Sequence, residues 1–274
     1  MGVIMQNCEN ILIKACEEVR LNLTSEQLSQ FEKYYNLLVE WNEKINLTAI
    51  IEKQEVYLKH FADCVYLSKF LKQGASVCDI GTGAGFPGLV LKIVRPDINL
   101  TLVDSLNKRI NFLNLVITEL KLENVNCLHF RAEDKAFKEQ YLNSFDYVVA
   151  RAVARLNTLT EYCLPYVKVG GDFLAMKSQK AQEEVLECLN AFKTLGGKFE
   201  HLEEYEFNNS ETIFENITKI TKLQNVKIRQ NNNDTQSQTN ENNVQQRAVV
   251  VINKIAKTLN KYPRDLNKPR TKPL

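Results

Sequence analysis

The stretch that decides the fold is VCDIGTGAGFPGLVLKIVRP, residues 77–96. A short apolar run is followed by closely spaced glycines and then by apolar residues at helical spacing, which is the pattern of a strand, a tight loop and a helix. Gly81, Gly83 and Gly85 let the backbone turn sharply and approach a ligand, and a first helical turn tolerates Pro87. We therefore expect a ligand site at the carboxyl end of the first strand.

The chain after Gly74 repeats this alternation of short apolar runs and helical patterns. Strands that alternate with helices imply βαβ units and a mainly parallel sheet. The seven predicted strands cover residues 75–80, 100–104, 125–130, 145–150, 171–176, 198–207 and 247–254, and the helices between them lie near 87–95, 107–121, 156–168 and 180–195. The predicted fold class is therefore α/β, with a Rossmann-like, seven-stranded and mostly parallel sheet in a domain at residues 74–254.

Two other segments depart from this alternation. Residues 1–73 have apolar residues at helical spacing, and Thr24 followed by Gln27 fits a capping box, so we expect an N-terminal helical extension. Residues 208–246 include NNNDTQSQTNENNVQQ, which has almost no apolar side chains. Such a segment cannot offset its own ordering entropy, which predicts a mobile insertion between the last two strands.

The end of the chain, residues 255–274, is a basic segment that contains proline. From Lys254 onward there are seven basic residues and one acidic residue, Asp265. Pro263, Pro269 and Pro273 are expected to prevent a helix, which predicts an extended C-terminal arm. On charge patterning alone, a nucleic-acid-binding arm and a solvated chain end are equally good interpretations.

The composition excludes several classes of protein. The 274 residues are 44% hydrophobic, which suffices for a large core. The seven cysteines are scattered and never spaced as C-x-x-C, so neither disulfides nor a metal site are predicted. There is no run of about 20 apolar residues and the start lacks signal-peptide features, so we expect a cytoplasmic protein that does not contact membranes. The net charge of +2 is too small to indicate a nucleic-acid partner by itself.

Two cofactors are compatible with the glycine loop. Gly83, Gly85 and Gly88 also satisfy the dinucleotide pattern G-x-G-x-x-G, with Asp104 at the end of the next strand, as in an NAD-dependent dehydrogenase. Asp79, which ends the strand before the loop, discriminates between them. Its carboxylate would repel a pyrophosphate but attract the sulfonium and ammonium groups of S-adenosylmethionine, so we favour the latter.

Side chains at the ends of the next strands extend the predicted site. Asp104 is placed to accept hydrogen bonds from ribose hydroxyls, and Ala132 with Glu133 to reach the adenine edge. Glu133 could instead be an acid favourable to a helix start. Arg151, at the end of the fourth strand, could orient the cofactor carboxylate or an RNA phosphate, or pair with a neighbouring acid.

Several of these segments together resemble the bacterial small-subunit ribosomal RNA guanine-N7 methyltransferases, the RsmG or GidB family. They are DIGTGAGFPG (79–88), VDSLNKRINFL (103–113), RAED (131–134), VVARAVA (148–154) and AMKS (175–178). The similarity extends to WNEKINLTAI (41–50), HFADC (60–64) and KYPRDLNKPRTKPL (261–274). The chain departs from the family at Ser178 and Asn267, where the family usually has glycine.

The resemblance implies a class I methyltransferase fold with S-adenosylmethionine as cofactor. The methyl acceptor would be N7 of one guanine in 16S (small-subunit) ribosomal RNA, either free or in the assembled small ribosomal subunit. The predicted cofactor-binding residues, from the pattern and the resemblance together, are Gly81, Gly83, Phe86, Asp104, Ala132, Glu133 and Arg151.

Guanine N7 carries an unprotonated lone pair, so its methylation needs no base. We therefore assign no catalytic residue, and expect the rate to come from alignment of the reacting atoms, an effect of roughly 7–11 kcal/mol at best. His60, Asp63 and Lys177 could contact the RNA, and each could equally belong to a domain-packing pair or be a surface charge.

The basic arm is expected to bind RNA phosphates, and the protein is expected to be a monomer. The predicted substrate-binding residues in the arm are Lys261, Arg264 and Lys268. Two alternatives stay open on the sequence alone: an NAD-dependent dehydrogenase, and a non-catalytic RNA-binding protein on the same fold.

Overall fold

One mixed β-sheet forms the centre of the computed structural model, which describes residues 2–207, 213–220, 245–265 and 267–274. Its strands within those residues are β1 (Ser76–Ile80), β2 (Asn99–Asp104), β3 (Val125–His129), β4 (Phe145–Arg151), β5 (Val167–Lys177), β6 (Gly197–Phe207), β7 (Phe214–Ile220) and β8 (Gln245–Lys254). They lie in the order β3-β2-β1-β4-β5-β8-β6-β7. Strands β1 to β5 pair in parallel, whereas β8 is antiparallel to both of its neighbours, β5 and β6.

The strand order places a ligand crevice beside β1. The chain moves outward from β1 to β2 and β3, and then returns to β4 on the other side of β1. Loops from β1 and β4 therefore leave the sheet in opposite directions, which opens a crevice at their carboxyl ends. The side chains of β1 and β2 are buried along almost their whole length, as expected for parallel strands covered on both faces.

Helices cover the two faces of the sheet and divide its core in two. On one face lie α5 (Gly88–Val94) and α6 (Asn107–Glu119), and on the other α7 (Lys135–Tyr141), α8 (Leu156–Cys163), α9 (Ala181–Glu187) and α10 (Leu189–Thr194). All seven predicted strands and the helices between them are present. The predicted Rossmann-like α/β fold is confirmed.

The N-terminal extension packs on the face that α5 and α6 cover. It consists of α1 (Gly2–Glu18), α2 (Ser25–Ile45) and a run of short helical turns from Lys53 to Phe70, which includes α3 (Lys53–Val56) and α4 (Asp63–Val65). The predicted capping box between Thr24 and Gln27 starts α2. Phe31 of α2 belongs to the same buried cluster as the sheet, so the extension shares the core of the domain.

The sheet has one strand more than predicted. Strand β7 lies inside residues 208–246, which were predicted to be a mobile insertion, and it pairs with β6 at the edge of the sheet. The side chains of Ile213 and Phe214 are buried, and both backbone N–H groups donate to the Glu18 carboxylate, at 2.6 and 2.8 Å. These contacts with α1 hold the start of β7 in place, although the segment around it is rich in polar residues. Residues 208–212 and 221–244 lie outside the described residues.

The C-terminal arm is folded onto α8 and not extended as predicted. The carboxylate of Glu161 is fully buried and accepts hydrogen bonds from the backbone N–H and the guanidinium of Arg264, at 2.7–3.2 Å. A short helix, α11 (Lys268–Thr271), follows, with Pro269 in its first turn, where a missing N–H costs nothing. The expectation that the prolines exclude a helix here was therefore wrong.

The cysteine side chains are free thiols, and six of the seven are buried. Burial raises the pKa of Cys16, of Cys64 and of Cys188 to about 12. No helix in the described part of the chain is long and apolar enough to cross a bilayer.

Candidate cofactor and acceptor sites

The loop after β1 adopts a conformation that favours glycine. The φ angles of Gly81, Gly83 and Gly85 are 72°, 63° and 99°, which L-residues rarely adopt. A Cβ on Gly81 would also lie 2.6 Å from Cγ2 of Val153, in the loop after β4. The glycines therefore bring the loops of β1 and β4 together at the crevice.

A buried carboxylate at Asp79 holds this loop from behind. Its Oδ2 accepts hydrogen bonds from Thr82 Oγ1, at 2.7 Å, and from the backbone N–H of Gly88, at 2.8 Å. Its Oδ1 is also buried and has no hydrogen-bond partner among the described residues. Burial raises the pKa of Asp79 to about 7. Asp79 does not line the cavity in front of the loop, so its predicted attraction for a positively charged cofactor would act from behind the loop.

Asp104, at the end of β2, joins the loop to the cavity. Its Oδ2 accepts from the backbone N–H of Gly83, at 3.0 Å, and from Arg109, at 3.3 Å. Its Oδ1 accepts from the N–H of Leu106, at 2.9 Å. Gly83, which does not itself line the cavity, therefore positions an acid that does.

The cavity at the crevice has a volume of about 550 Å³, within the range of small-molecule sites. It lies across the carboxyl ends of β1 to β4 and is lined by Ile80, Gly81, Val103, Asp104, Ser105, Arg109, Phe130, Arg131, Ala132, Glu133, Ala152, Val153, Tyr162, Asn267 and Arg270. Four of the predicted cofactor residues are among them: Gly81, Asp104, Ala132 and Glu133. Two carboxylates and a small-residue floor suit the hydroxyl and amino groups of an adenosine, and we call this space the donor cavity.

A second cavity of about 440 Å³ adjoins the donor cavity, and the two share Ala152. It is lined by Ile50, Lys59, His60, Asp63, Arg151, Ala152, Met176, Lys177, Ser178, Glu184 and Arg247. Four of these side chains are basic and two are acidic, so its wall favours an anionic ligand. We call it the acceptor cavity. It is lined by all three residues that were named as possible RNA contacts: His60, Asp63 and Lys177.

Neither Phe86 nor Arg151, both predicted to bind the cofactor, lines the donor cavity; Arg151 lines the acceptor cavity, and Phe86 packs against it. The Arg151 guanidinium stands over the Phe86 ring, 5.3 Å from its centroid. The His60 ring packs on the same phenylalanine, at 4.8 Å between centroids. The three side chains form a wall next to the point where the cavities meet.

His60 is neutral in this wall. Burial and the neighbouring Arg151 lower the pKa of His60 to about 3. Since a guanidinium can only donate, Nδ1 of His60 must accept from Arg151 Nη2, at 2.9 Å. The ring proton is therefore on Nε2, which donates to Thr48 Oγ1, at 2.9 Å.

Asp63 fixes the two arginines of the acceptor cavity. One of its oxygens lies 3.1 Å from Arg151 Nη1 and 3.5 Å from Arg247 Nε, and the other accepts from the Tyr205 hydroxyl, at 3.0 Å. Because Asp63 is almost fully buried, these partners hold its charge inside the protein. The arrangement leaves more positive than negative charge along the cavity.

Sequence reasoning missed several residues of both cavities. Arg109 lies within one of the segments that resemble the family, five residues after Asp104 in the sequence. That spacing could have indicated a contact between the two side chains. Arg247 begins a predicted strand, and only the sheet order brings it to Asp63. Asn267 and Arg270 come from the far end of the chain, and no local pattern indicates that they reach the donor cavity.

The three arm residues predicted to bind RNA differ in their environments. Lys261 and Lys268 are exposed. Arg264 donates to both oxygens of Glu161 and to the carbonyl of Lys272, at 2.7 Å. Its guanidinium is therefore engaged within the protein through Nε and Nη2.

Comparison with solved structures supports the fold. The chain is similar to P. horikoshii TYW2, solved in complex with MeSAdo, with a TM-score of 0.50 and 14% identity over 72% of this chain and 63% of that one. It is similar to M. jannaschii TYW2, solved in complex with AdoMet, with a TM-score of 0.50 and 12% identity over 76% and 80%.

Sequence comparisons are more specific. The family model described as rRNA small subunit methyltransferase G matches residues 27–213. Ribosomal RNA small subunit methyltransferase G of Desulforamulus reducens is 46% identical over 96% of this chain and 97% of its own length. The protein of the same name from Lactococcus lactis subsp. lactis is 50% identical over 73% and 85%. With its glycine loop and its two adjoining cavities, the chain belongs to the rRNA small subunit methyltransferase G (GidB) family.

Proposed function

We propose that this chain transfers a methyl group from S-adenosylmethionine to N7 of a guanine in 16S ribosomal RNA. As a member of its family it is a small-subunit rRNA methyltransferase that uses S-adenosylmethionine. The observation that carries the assignment of roles is that the donor and acceptor cavities meet at Ala152. A methyl donor in one cavity and a base in the other could then react across their common edge.

In the donor cavity, Asp104 would accept hydrogen bonds from the ribose hydroxyls, and Ala132 with Glu133 would face the adenine. When bound, S-adenosylmethionine supplies an electrophilic methyl group on a positively charged sulfur. Asp79 would hold the loop against it and, when ionised, add a negative potential from behind the loop. The backbone at Gly81 would form the floor beneath the reacting centre.

In the acceptor cavity, the chain's own residues would orient the base and exclude water. Arg151 and Arg247, fixed by Asp63, present N–H donors to phosphate oxygens or to a guanine carbonyl. His60 is neutral, with its ring nitrogens engaged by Thr48 and Arg151, so it has no free lone pair to act as a base. This fits an acceptor nitrogen that carries no proton.

The partner of this site is ribosomal RNA, and we propose that the protein acts on it as a cytoplasmic monomer. Residues 74–254 would carry the chemistry. The extension at residues 1–73 would supply one wall of the acceptor cavity through His60 and Asp63, and residues 255–274 would add the arm. The family membership and the two cavities give no support to a dehydrogenase.

The direct test is to incubate the protein with labelled S-adenosylmethionine and small-subunit RNA that lacks the modification, and to map the labelled base. One reaction uses free RNA and the other the assembled subunit. We expect a single N7-methylguanine in at least one of the two reactions. Binding of RNA without methyl transfer in both reactions would favour the non-catalytic RNA-binding protein, and a label on another atom would reject the N7 assignment.

A further inference from the structure

We propose that the C-terminal arm is part of the cofactor site, and that Arg270 binds the adenine end of S-adenosylmethionine in the donor cavity. This rests on the proposed function of that cavity. It assigns a ligand contact to a segment whose basic charge otherwise suggests only RNA.

The arm is held against the domain by anchors on α7 and α8. Arg264 is paired with the buried Glu161 of α8. Lys138 of α7, itself buried, donates to the carbonyl of Pro263, at 3.1 Å, and to the carboxylate of Asp265, at 2.6 Å. These contacts fix the course of the chain just before α11.

A left-handed turn then directs α11 to the cavity. Asn267 precedes the helix with φ 61°, a conformation that glycine and asparagine adopt more readily than other residues. Pro269 is buried, and its carbonyl accepts from Thr158 Oγ1 of α8, at 3.1 Å. The turn and these contacts leave Asn267 and Arg270 on the wall of the donor cavity.

Arg270 is near the end of the cavity proposed for adenine. The Thr158–Pro269 hydrogen bond packs α11 on α8, and Tyr162 lies one turn after Thr158 on that helix. Arg270, Tyr162 and Glu133 all line the donor cavity. Burial and the charge of Glu133 raise the pKa of Tyr162, and the positive charge of Arg270 lowers it. Glu133 and Ala132 are the residues proposed to face the adenine, so Arg270 and Tyr162 stand at the same end.

Of the three arginines that line the donor cavity, Arg270 has the fewest side-chain partners among the described residues. Arg109 pairs with Asp104, at 3.3 Å, and Arg131 lies 4.0 Å from Glu133. The Arg270 guanidinium has no hydrogen bond or ion pair with any residue that the structure describes. A planar, delocalised cation of this kind stacks well on an aromatic ring such as adenine.

Titration calorimetry with S-adenosylmethionine and with adenosine, in the absence of RNA, tests the proposal on the full chain. We expect Arg270→Ala to weaken both ligands at least fivefold, and Arg270→Lys to recover only part of the loss, since it keeps the charge but not the plane. Lys272→Ala is the matched control, because it removes an exposed charge of the same helix end that does not line the cavity. It should bind both ligands within twofold of wild type.

Tryptic cleavage after Lys257 and Lys261 gives a second measurement. If the cofactor binds to the docked arm, it must favour docking by the same factor, so saturating S-adenosylmethionine should slow cleavage in wild type and less so in Arg270→Ala. Equal affinities of wild type and Arg270→Ala, or an equal loss in Lys272→Ala, would overturn the proposal. A wild-type protein that does not bind S-adenosylmethionine would instead refute the proposed function.

Discussion

The glycine loop and the C-terminal arm line the same donor cavity but are held in different ways. The loop is fixed by its own backbone geometry and by Asp79 and Asp104, inside the sheet. The arm is fixed by side-chain anchors on the protein surface, including the ion pair of Arg264 with the buried Glu161. A defect in the loop must therefore strain the core, whereas a defect in the arm can be relieved by local detachment. The same cavity thus combines a rigid wall with a separable one.

The largest effect should come from Gly81→Ala. The φ of 72° costs an L-residue about 1–3 kcal/mol, and the new Cβ would displace Val153. We expect a loss of this size or more in the free energy of unfolding, measured in urea, and at least tenfold weaker binding of S-adenosylmethionine. Gly74→Ala is the matched control, because φ is 69° and no atom lies within 4 Å of its added Cβ. If both variants behaved alike, contact between the two loops would not matter.

Arg264→Ala should have the next largest effect, and a different kind of effect. Leaving a buried carboxylate unpaired costs about 3–5 kcal/mol in place, but detachment of the arm exposes Glu161 to water and limits the loss. We expect faster tryptic cleavage of the arm and weaker cofactor binding, with a smaller change in global unfolding than for Gly81→Ala. Arg155→Ala removes the exposed pair with Glu187 and serves as control. A global loss as large as that of Gly81→Ala would mean that the arm is not separable.

Asp79→Asn should change how the stability of the glycine loop depends on pH. In the folded protein the pKa of Asp79 is raised from 3.8 to about 7, so the folded state binds a proton more tightly than the unfolded state. Its contribution to stability is therefore greatest below pH 4 and is lost as the pH rises to about 7. Relative to wild type, Asp79→Asn should gain stability across that window in urea titrations.

Asp97→Asn should show the opposite pH dependence of stability in the same urea titrations. Its hydrogen bonds with Arg95 lower the pKa of Asp97 to about 2, so its contribution is lost only as the pH falls below about 4. A flat difference between Asp79→Asn and wild type from pH 4 to pH 7 would show that the carboxylate is ionised throughout and that the loop stabilises its charge.

The smallest effect should come from the double variant Lys261→Ala/Lys268→Ala. Both side chains are exposed, and Arg264 is left in place so that the arm stays docked. If these lysines contact phosphates, the slope of log affinity for RNA against log salt should decrease by about one per lysine, with unchanged binding of S-adenosylmethionine. Lys135→Ala, at a side chain 84% exposed, controls for loss of surface charge. An unchanged slope would leave the arm with its role in the cofactor site alone.

Most of the fold could be predicted because its signals are local. The glycine loop, the capping box at Thr24 and the acid that ends β2 each depend on residues within a few positions of one another. Strand β7 could not be predicted, since it is ordered by Glu18, which is almost two hundred residues away.

The site was predicted less completely for the same reason. Asp104 and Glu133 could be predicted from their positions after strands. The direction in which a carboxylate points could not be predicted, and Asp79 faces the back of the loop. Phe86 and Arg151 were expected beside the cofactor, and only the packing of the N-terminal extension shows that they stand with His60. The position of Arg270 in the donor cavity depends on the packing of the chain end against α8, which no local pattern indicates.

Alkylation of the buried cysteines would report local opening of the elements that carry them. A thiol reacts with alkylating agents only as the thiolate and only when a reagent can reach it. Cys78 lies on β1, which precedes the glycine loop, Cys163 on α8, which carries anchors of the arm, and Cys16 on α1. Each is fully buried with its pKa raised. The order in which these positions become alkylated would therefore time the opening of each element, without any engineered label.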